Sequence, residues 1–372
     1  MTLLLTSFAD VASYAFYILV AVLVLLVMIT VHEFGHYVAG KIFGFGITEF
    51  SIGFGPKLFQ KKKKDGELFS VRLLPLGGYC AFVGEDEDSD SIVAFNNKKP
   101  WQRIIVLISG ALMNYILAVV IIMVNFAAYG QTALCPVNLV ENPSYSAEYS
   151  FLSKDVIISA NGKNIYLTTD LMNALSGKKQ GEKVKFSLRR NGERIEKQII
   201  LRGNADFKNY EDIKVLYDVL GIYYETDSSG KITDSGLYST LIRFSFFETV
   251  GRGFEYSFKI AGTIFGVLGQ LLTGRIGISS MGGTITTITA TADAVRNGGL
   301  RYLLHITSFI GVNLAVFNLL PIPALDGSRV VFTAIEWVRR KPLKRKVEAI
   351  IHAVGFALIL IFAVILDLQR CF

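Results

Sequence analysis

The sequence is short of charge. Only 19% of its 372 residues are Asp, Glu, Lys or Arg, while 51% are hydrophobic. A soluble domain carries roughly 25% charged residues, so a wholly soluble protein is excluded. The mean hydropathy of +0.43 agrees. Cysteine is scarcer still: Cys80, Cys135 and Cys371 are too few and too scattered for a disulfide framework or a zinc knuckle. No basic residue precedes the first apolar run, which is too long for a signal peptide and is followed by no small-residue cleavage site. That run is therefore expected to remain in the protein. No internal repeat is evident.

The apolar residues are clumped. Four stretches, at about 11–31, 104–128, 302–320 and 349–366, approach or reach the roughly 20 residues needed to cross a bilayer core. Lys41, Lys57, the lysine run 61–64, Lys98, Lys99 and Arg103 lie between the first two. Arg339, Arg340, Lys341, Lys344, Arg345 and Lys346 lie between the last two. Basic loops stay cytoplasmic, so both termini and the long 130–299 segment are expected outside. The net charge of +7 follows from this asymmetry and calls for no nucleic acid.

Residues 46–84 are rich in β-formers and glycine, with Asp65-Gly66 as a hairpin-type turn. They are expected to form a small sheet on or slightly in the cytoplasmic face. The acidic patch 85–90 lacks the ligand order of a calcium loop and reads as a solvated loop. Between about 135 and 226 the composition becomes that of a soluble α/β domain. A strand over 155–160 ends in Asn161-Gly162, a helix follows over 167–175, and a hairpin turns at Asn191-Gly192. This element order resembles a PDZ domain of the bacterial protease type. Residues 237–272 are amphipathic, with Arg243, Glu248, Arg252, Glu255 and Lys259 among Phe, Leu and Ile. They are expected to lie on the outer membrane surface, a fifth crossing being the alternative.

His32-Glu33-Phe34-Gly35-His36 fits H-E-x-x-H. On a helix, histidines four apart share a face and can bind one Zn²⁺, with the intervening Glu33 as general base. The alternative is a pair of capping or interfacial histidines at a helix end. The motif closes a membrane span, where ionisable groups are costly and need a compensating partner. A catalytic zinc takes three protein ligands and keeps an open position. Asp326 is the expected third, because Pro321 and Pro323 break the third span just before it. An ordinary helix cap is the alternative for Asp326. His305 and His352 are expected to be structural, with His352 close enough to approach the site.

Residues 31–36, 50–55, 74–79 and 318–327 together resemble, in order, the site-2 protease family. These are M50-type zinc intramembrane metalloproteases, here in the bacterial RseP/RasP-type branch with one PDZ domain. The resemblance covers nearly the whole chain. It implies one zinc per chain held by His32, His36 and Asp326, with Glu33 as base. It implies a sheet edge beside the site for an unwound substrate helix, with Gly77, Gly78, Tyr79, Asn313, Asn318, Pro321 and Pro323 in substrate contact. For the two asparagines, helix–helix hydrogen bonding is the other reading. It also implies single-span membrane substrates such as anti-sigma factors and remnant signal peptides, an upstream site-1 protease acting on the same substrate, and a bacterial inner-membrane location. Two positions depart from the pattern: Ser109-Gly110-Ala111 lacks the family's proline, and Gly283-Thr284 stands where Gly-Pro is usual.

The expected fold is a polytopic α-helical membrane protein of about four transmembrane helices, with a cytoplasm-side membrane-associated β-sheet and an extracytoplasmic α/β PDZ-like domain. The expected division is 1–45 (first span and motif), 46–100 (sheet and cytoplasmic loop), 101–130 (second span), 131–230 (PDZ-like domain), 231–299 (amphipathic membrane-surface segment), 300–328 (third span) and 329–372 (basic loop and fourth span). The competing class is a non-catalytic membrane scaffold binding clients through the PDZ-like domain, which would have no use for a carboxylate at Glu33.

Overall fold

A computed structural model describes residues 8–85, 89–140, 149–207, 212–274, 282–341 and 345–369. Residues 86–88 of the acidic patch, and Lys344 of the basic loop, fall outside them. The chain divides into two compact units, one of residues 1–125 with 250–372 and one of residues 126–249.

The first unit is built on long apolar helices. Among the described residues four are long and apolar enough to cross a membrane: 11–42 of α1 (Phe8–Ile42), α2 (Pro100–Tyr129), α6 (Thr284–Asn318) and 346–368 of α8 (Arg345–Leu368). They contain three of the four expected stretches whole and the third, 302–320, as far as Asn318. On α1, Phe16, Leu19, Leu23 and Val27 are exposed, whereas Ala21, Met28, His32, His36 and Ala39 are buried. An apolar helix that exposes Phe and Leu along one side has lipid as its natural neighbour. Small residues let the buried sides close up. A Cβ on Gly35 would lie 2.3 Å from the Ser109 carbonyl oxygen of α2, and one on Gly311 of α6 would lie 3.0 Å from Ala118 Cβ and 3.5 Å from Met28 Sδ.

Helix α6 is broken at Gly299 (φ 62°, ψ −152°), a conformation open to glycine, so its apolar half begins where the third span was expected. Its first turn is capped from a distance: Ile285 and Thr286 donate backbone N–H to Asp367 of α8 at 3.1 and 3.2 Å. It stops at Asn318, since Pro321 and Pro323 cannot continue it. Ala324 takes a left-handed φ of 82° and donates its N–H to His352 Nδ1 at 3.0 Å, which ties the proline turn to α8. The chain then continues as α7 (Asp326–Arg339).

Two expectations need correction. Residues expected as a basic loop before the fourth span are helical through Arg339. Val330 and Phe332 are half-buried and Thr333 is buried, while Val331, Ile335, Trp337 and Val338 are exposed, a helical alternation that the charge count obscured. Residues 237–242, expected within the amphipathic stretch, form strand β10 (Leu237–Ile242) of the other unit, and only Phe246–Leu272 is the helix α5. Six residues are too few for periodicity to separate strand from helix, and pairing with a neighbouring strand decided it. Helix α5 touches α2, where the Tyr115 and Ser257 hydroxyls are 2.8 Å apart, and α6, where Tyr256 meets His305 at 6.3 Å between ring centres.

Strands β1 (Ile47–Lys62) and β2 (Leu68–Phe82) are both bent, so residues 49–52 are paired on both sides, with 68–71 and with 79–81 and Gly78. The turn between them carries Gly66 at φ 91°. Phe45, Ile47, Phe50, Phe82 and Phe95 pack with Ala39, Val106 and Leu107, which seats this sheet against α1 and α2.

The second unit holds a sheet in the order β10–β3–β4–β6–β7, where β3 is Gln131–Pro136, β4 Val156–Ala160, β6 Lys183–Arg190 and β7 Glu193–Ile200; β5 (Lys163–Asn164) pairs with β4. Asn161-Gly162 and Asn191-Gly192 have positive φ at both residues, as the tight hairpin turn demands. Helices α3 (Thr168–Leu175) and α4 (Ile213–Leu220) bury Leu171, Leu175, Leu216 and Leu220 with Phe186 and Leu188 of the sheet. Beyond α4, β8 (Tyr224–Thr226) and β9 (Ile232–Ser235) pair as a short ribbon. Asp155, wholly buried, is met by a forked pair from Arg190 at 2.7 and 2.8 Å.

Candidate metal centre

One helical turn separates His32 from His36, and both face α2. Asp326, the first residue of α7, arrives from behind the proline turn. His32 Nε2 lies 3.1 Å from His36 Nε2 and 2.9 Å from Asp326 Oδ2, and His36 Nε2 lies 3.3 Å from the same oxygen. One ligand atom from each of the three fits within 4.8 Å of the others. Around a tetrahedral zinc with bonds near 2.0–2.1 Å, donors stand about 3.3 Å apart. The cluster has that spacing. Both imidazoles are 7% exposed, so lone pairs turned toward a carboxylate in such a place suit a dication.

The outer ring-nitrogen contacts fit the same purpose. His36 Nδ1 is 2.8 Å from the Val106 carbonyl oxygen. A carbonyl can only accept, so Nδ1 carries the proton and Nε2 keeps its lone pair for the metal. The Asn318 side-chain amide is 3.3 Å from His32 Nδ1. The atom facing the ring is Nδ2; ligation through His32 Nε2 requires this amide turned over, so that Oδ1 accepts the Nδ1 proton and fixes the second imidazole likewise. Gly110 completes the cradle: a Cβ there would lie 2.4 Å from His36 Nε2 and 2.8 Å from His32 Nε2. Any side chain at this residue would crowd the two ligand nitrogens.

Glu33 is beside the cluster but turned to the sheet. Its Oε2 accepts the Cys80 N–H at 3.0 Å, and a Cβ on Gly78 would be 3.6 Å from Glu33 Cγ. Cys80 is not part of the three-residue ligand cluster found among the described residues. Burial first, then the Glu33, Glu85 and Glu67 carboxylates, push its thiol pKa up, and metals bind thiolate.

The remaining expected substrate residues fall into different places. Gly77 stacks against Phe54, where a Cβ would lie 1.8 Å from the ring. Tyr79 donates its hydroxyl to Glu49 at 2.8 Å and accepts from Arg72 at 2.7 Å. Asn313 donates back to Phe309 of its own helix at 2.9 Å. Pro323 abuts Gly355, where a Cβ would lie 2.4 Å from Pro323 Cβ, and Pro321 is exposed. Among these residues, Asn318 contacts a metal ligand and Gly78 lies beside the base. Val106 and Gly110 were missed in the sequence, because a carbonyl oxygen and a missing side chain have no residue-type signature; the Ser-Gly pair within an apolar run was the only trace.

The match to known proteins covers the whole arrangement. The description Peptidase family M50 matches residues 20–362. A provisionally named zinc metalloprotease of Clostridium perfringens is 30% identical over 360 residues, 95% of this chain and 98% of its own. Another from Clostridium acetobutylicum is 30% identical over 354 residues, 95% of this chain and 97% of its own. One from Brucella suis is 28% identical over 355 residues, 91% and 90%. A chain with four membrane-length apolar helices and a His–His–Asp cradle, matched along nearly its full length, belongs to peptidase family M50, the zinc metalloproteases.

Proposed function

We propose that the protein is an intramembrane protease of the site-2 type, in the RseP/RasP-type branch, cutting the transmembrane segments of single-span membrane proteins. The observation that carries this reading is the origin of the metal cradle. His32 and His36 come from the apolar helix α1, and Asp326 follows the apolar helix α6 across the proline turn. A protease of soluble peptides has no need to build its cradle from such helices.

When bound, zinc supplies Lewis-acid chemistry and makes water a nucleophile near neutral pH. Glu33 takes the proton of the attacking water and hands it to the departing amine. Asn318 and the Val106 carbonyl hold the two imidazoles in their ligand tautomers. The edge of β2 beside Glu33 receives the unwound substrate as an added strand, giving its freed backbone groups partners that lipid cannot offer.

The second unit, with its strand–helix–hairpin order, acts as a PDZ-like domain outside the bacterial inner membrane. There it filters substrates by size or reads new carboxyl termini left by an upstream site-1 protease. Anti-sigma factors and remnant signal peptides are the substrate classes in view. Contacts from α5 to Tyr115, midway along α2, favour a helix dipping into the outer half of the bilayer over one lying flat on it. The test is Glu33→Gln beside a co-expressed single-span substrate. The cut fragment is expected to vanish while zinc is retained; a product band of unchanged strength sinks the reading.

A further inference from the structure

Among the described residues, the last segment of β2, residues 78–82, has strand pairing on one side only, with β1, and Glu33 of α1 and Glu85 meet its other side. Along such a segment, amides facing the free side recur every second residue, roughly 6.6–6.8 Å apart. Cys80 and Phe82 are two such residues. Neither amide is idle: Cys80 N–H donates to Glu33 Oε2 at 3.0 Å, and Phe82 N–H donates to Glu85 Oε2 at 3.2 Å. The other oxygen of Glu85 accepts from Arg329, which stands on α7 three residues after Asp326. Glu85 is thus stretched between the sheet edge and the helix that begins with a metal ligand.

We infer that these two carboxylates occupy the seat of the substrate strand, and that Glu85 is a displaceable guard of it. The inference rests on the proposed strand addition. An extended chain presents carbonyl oxygens at the same spacing as the two amides, so one substrate strand replaces both carboxylates at once. Displaced from Phe82, Glu85 keeps its partner Arg329. Displaced from Cys80, Glu33 is released toward the metal cradle. Seating of an extended substrate and release of the base are then a single event, whereas a segment that stays helical frees neither amide. Glu85 sets how readily the seat opens, which makes it a positioning residue and not a catalytic one.

The experiment compares the zinc-loaded full-length protein with Glu85→Ala and Glu85→Gln, using a single-span substrate in detergent micelles. A hydrogen bond to a charged group contributes about 1.5–3 kcal/mol, so removing the competitor should lower KM by roughly 10- to 150-fold for Glu85→Ala. kcat and zinc content should not change. Glu85→Gln keeps an acceptor for Phe82 while losing the ion pair, and should fall between the two. Amide exchange of residues 78–84 should rise in Glu85→Ala and fall again when substrate is added. An unmoved or raised KM, or a lowered kcat at constant KM, overturns the inference while leaving the proteolytic reading intact. A wild-type protein that cuts no single-span substrate removes that reading, and this inference with it.

Discussion

The His36 Nδ1–H donates a hydrogen bond to the main-chain carbonyl of Val106 at 2.8 Å. This contact makes α2 part of the metal centre although it supplies no ligand. The same turn of α2 brings Gly110 against both Nε2 atoms, so one helix fixes a ligand's tautomer and leaves room for the ion.

Gly110→Ala is accordingly expected to abolish zinc binding. Its Cβ would lie 2.4 Å from His36 Nε2, inside any contact distance. Metal analysis of the purified variant should show a loss of about 100-fold or more in affinity, beyond the usual range for an outer-sphere change. Size-exclusion behaviour should match wild type. Full zinc occupancy in the variant would contradict the geometry.

Asn318→Leu removes the partner of His32 Nδ1 without touching a ligand. Zinc affinity should fall by about 10–100-fold, the usual effect of losing an outer-sphere partner of a metal-bound histidine. Asn318→Gln should recover part of it. Competition with a chelator of known affinity reads this directly, and equal affinities in Leu and wild type would remove Asn318 from the centre.

Asn114 lies fully buried one turn beyond Gly110 on α2, and neither atom of its amide has a hydrogen-bond partner among the described residues. An unmatched buried amide costs about 1–3 kcal/mol, and an apolar side chain of the same shape removes that cost. Asn114→Leu should therefore raise the unfolding temperature in detergent, or at least not lower it. A clear fall would mean that the amide has a partner in the working protein.

The sheet should weaken in acid. Burial alone pushes the Glu49 carboxyl up, but hydrogen bonds from Ser70, Tyr79 and Arg72 outweigh it and hold its pKa below the ordinary value. A depressed carboxyl adds stability in full above the unfolded pKa of about 4.3, and that stability is lost as pH falls through the folded value. Thermal unfolding between pH 7 and 3 should show this loss in wild type and a smaller one in Glu49→Gln. Parallel curves for the two would exclude Glu49 as its source.

The amino-acid sequence by itself determined the apolar stretches, the pairing of His32 with His36, and the candidacy of Asp326. Each is written in residue type and spacing: an apolar run of membrane length, two imidazoles one turn apart, a carboxylate behind two prolines. Asn161-Gly162 and Asn191-Gly192 likewise announced their turns, since few residues other than Asn and Gly accept positive φ. The tertiary structure alone decided which main-chain atoms matter. Val106 contributes an oxygen that every residue has, Gly110 an absence, and Cys80 and Phe82 amide protons common to all but proline. Tertiary contact also settled 237–242 as a strand and carried helix α7 through to Arg339, because short or highly charged segments take their form from the neighbours they pack against. Local pattern encodes what a side chain can do; only packing decides which backbone groups it meets.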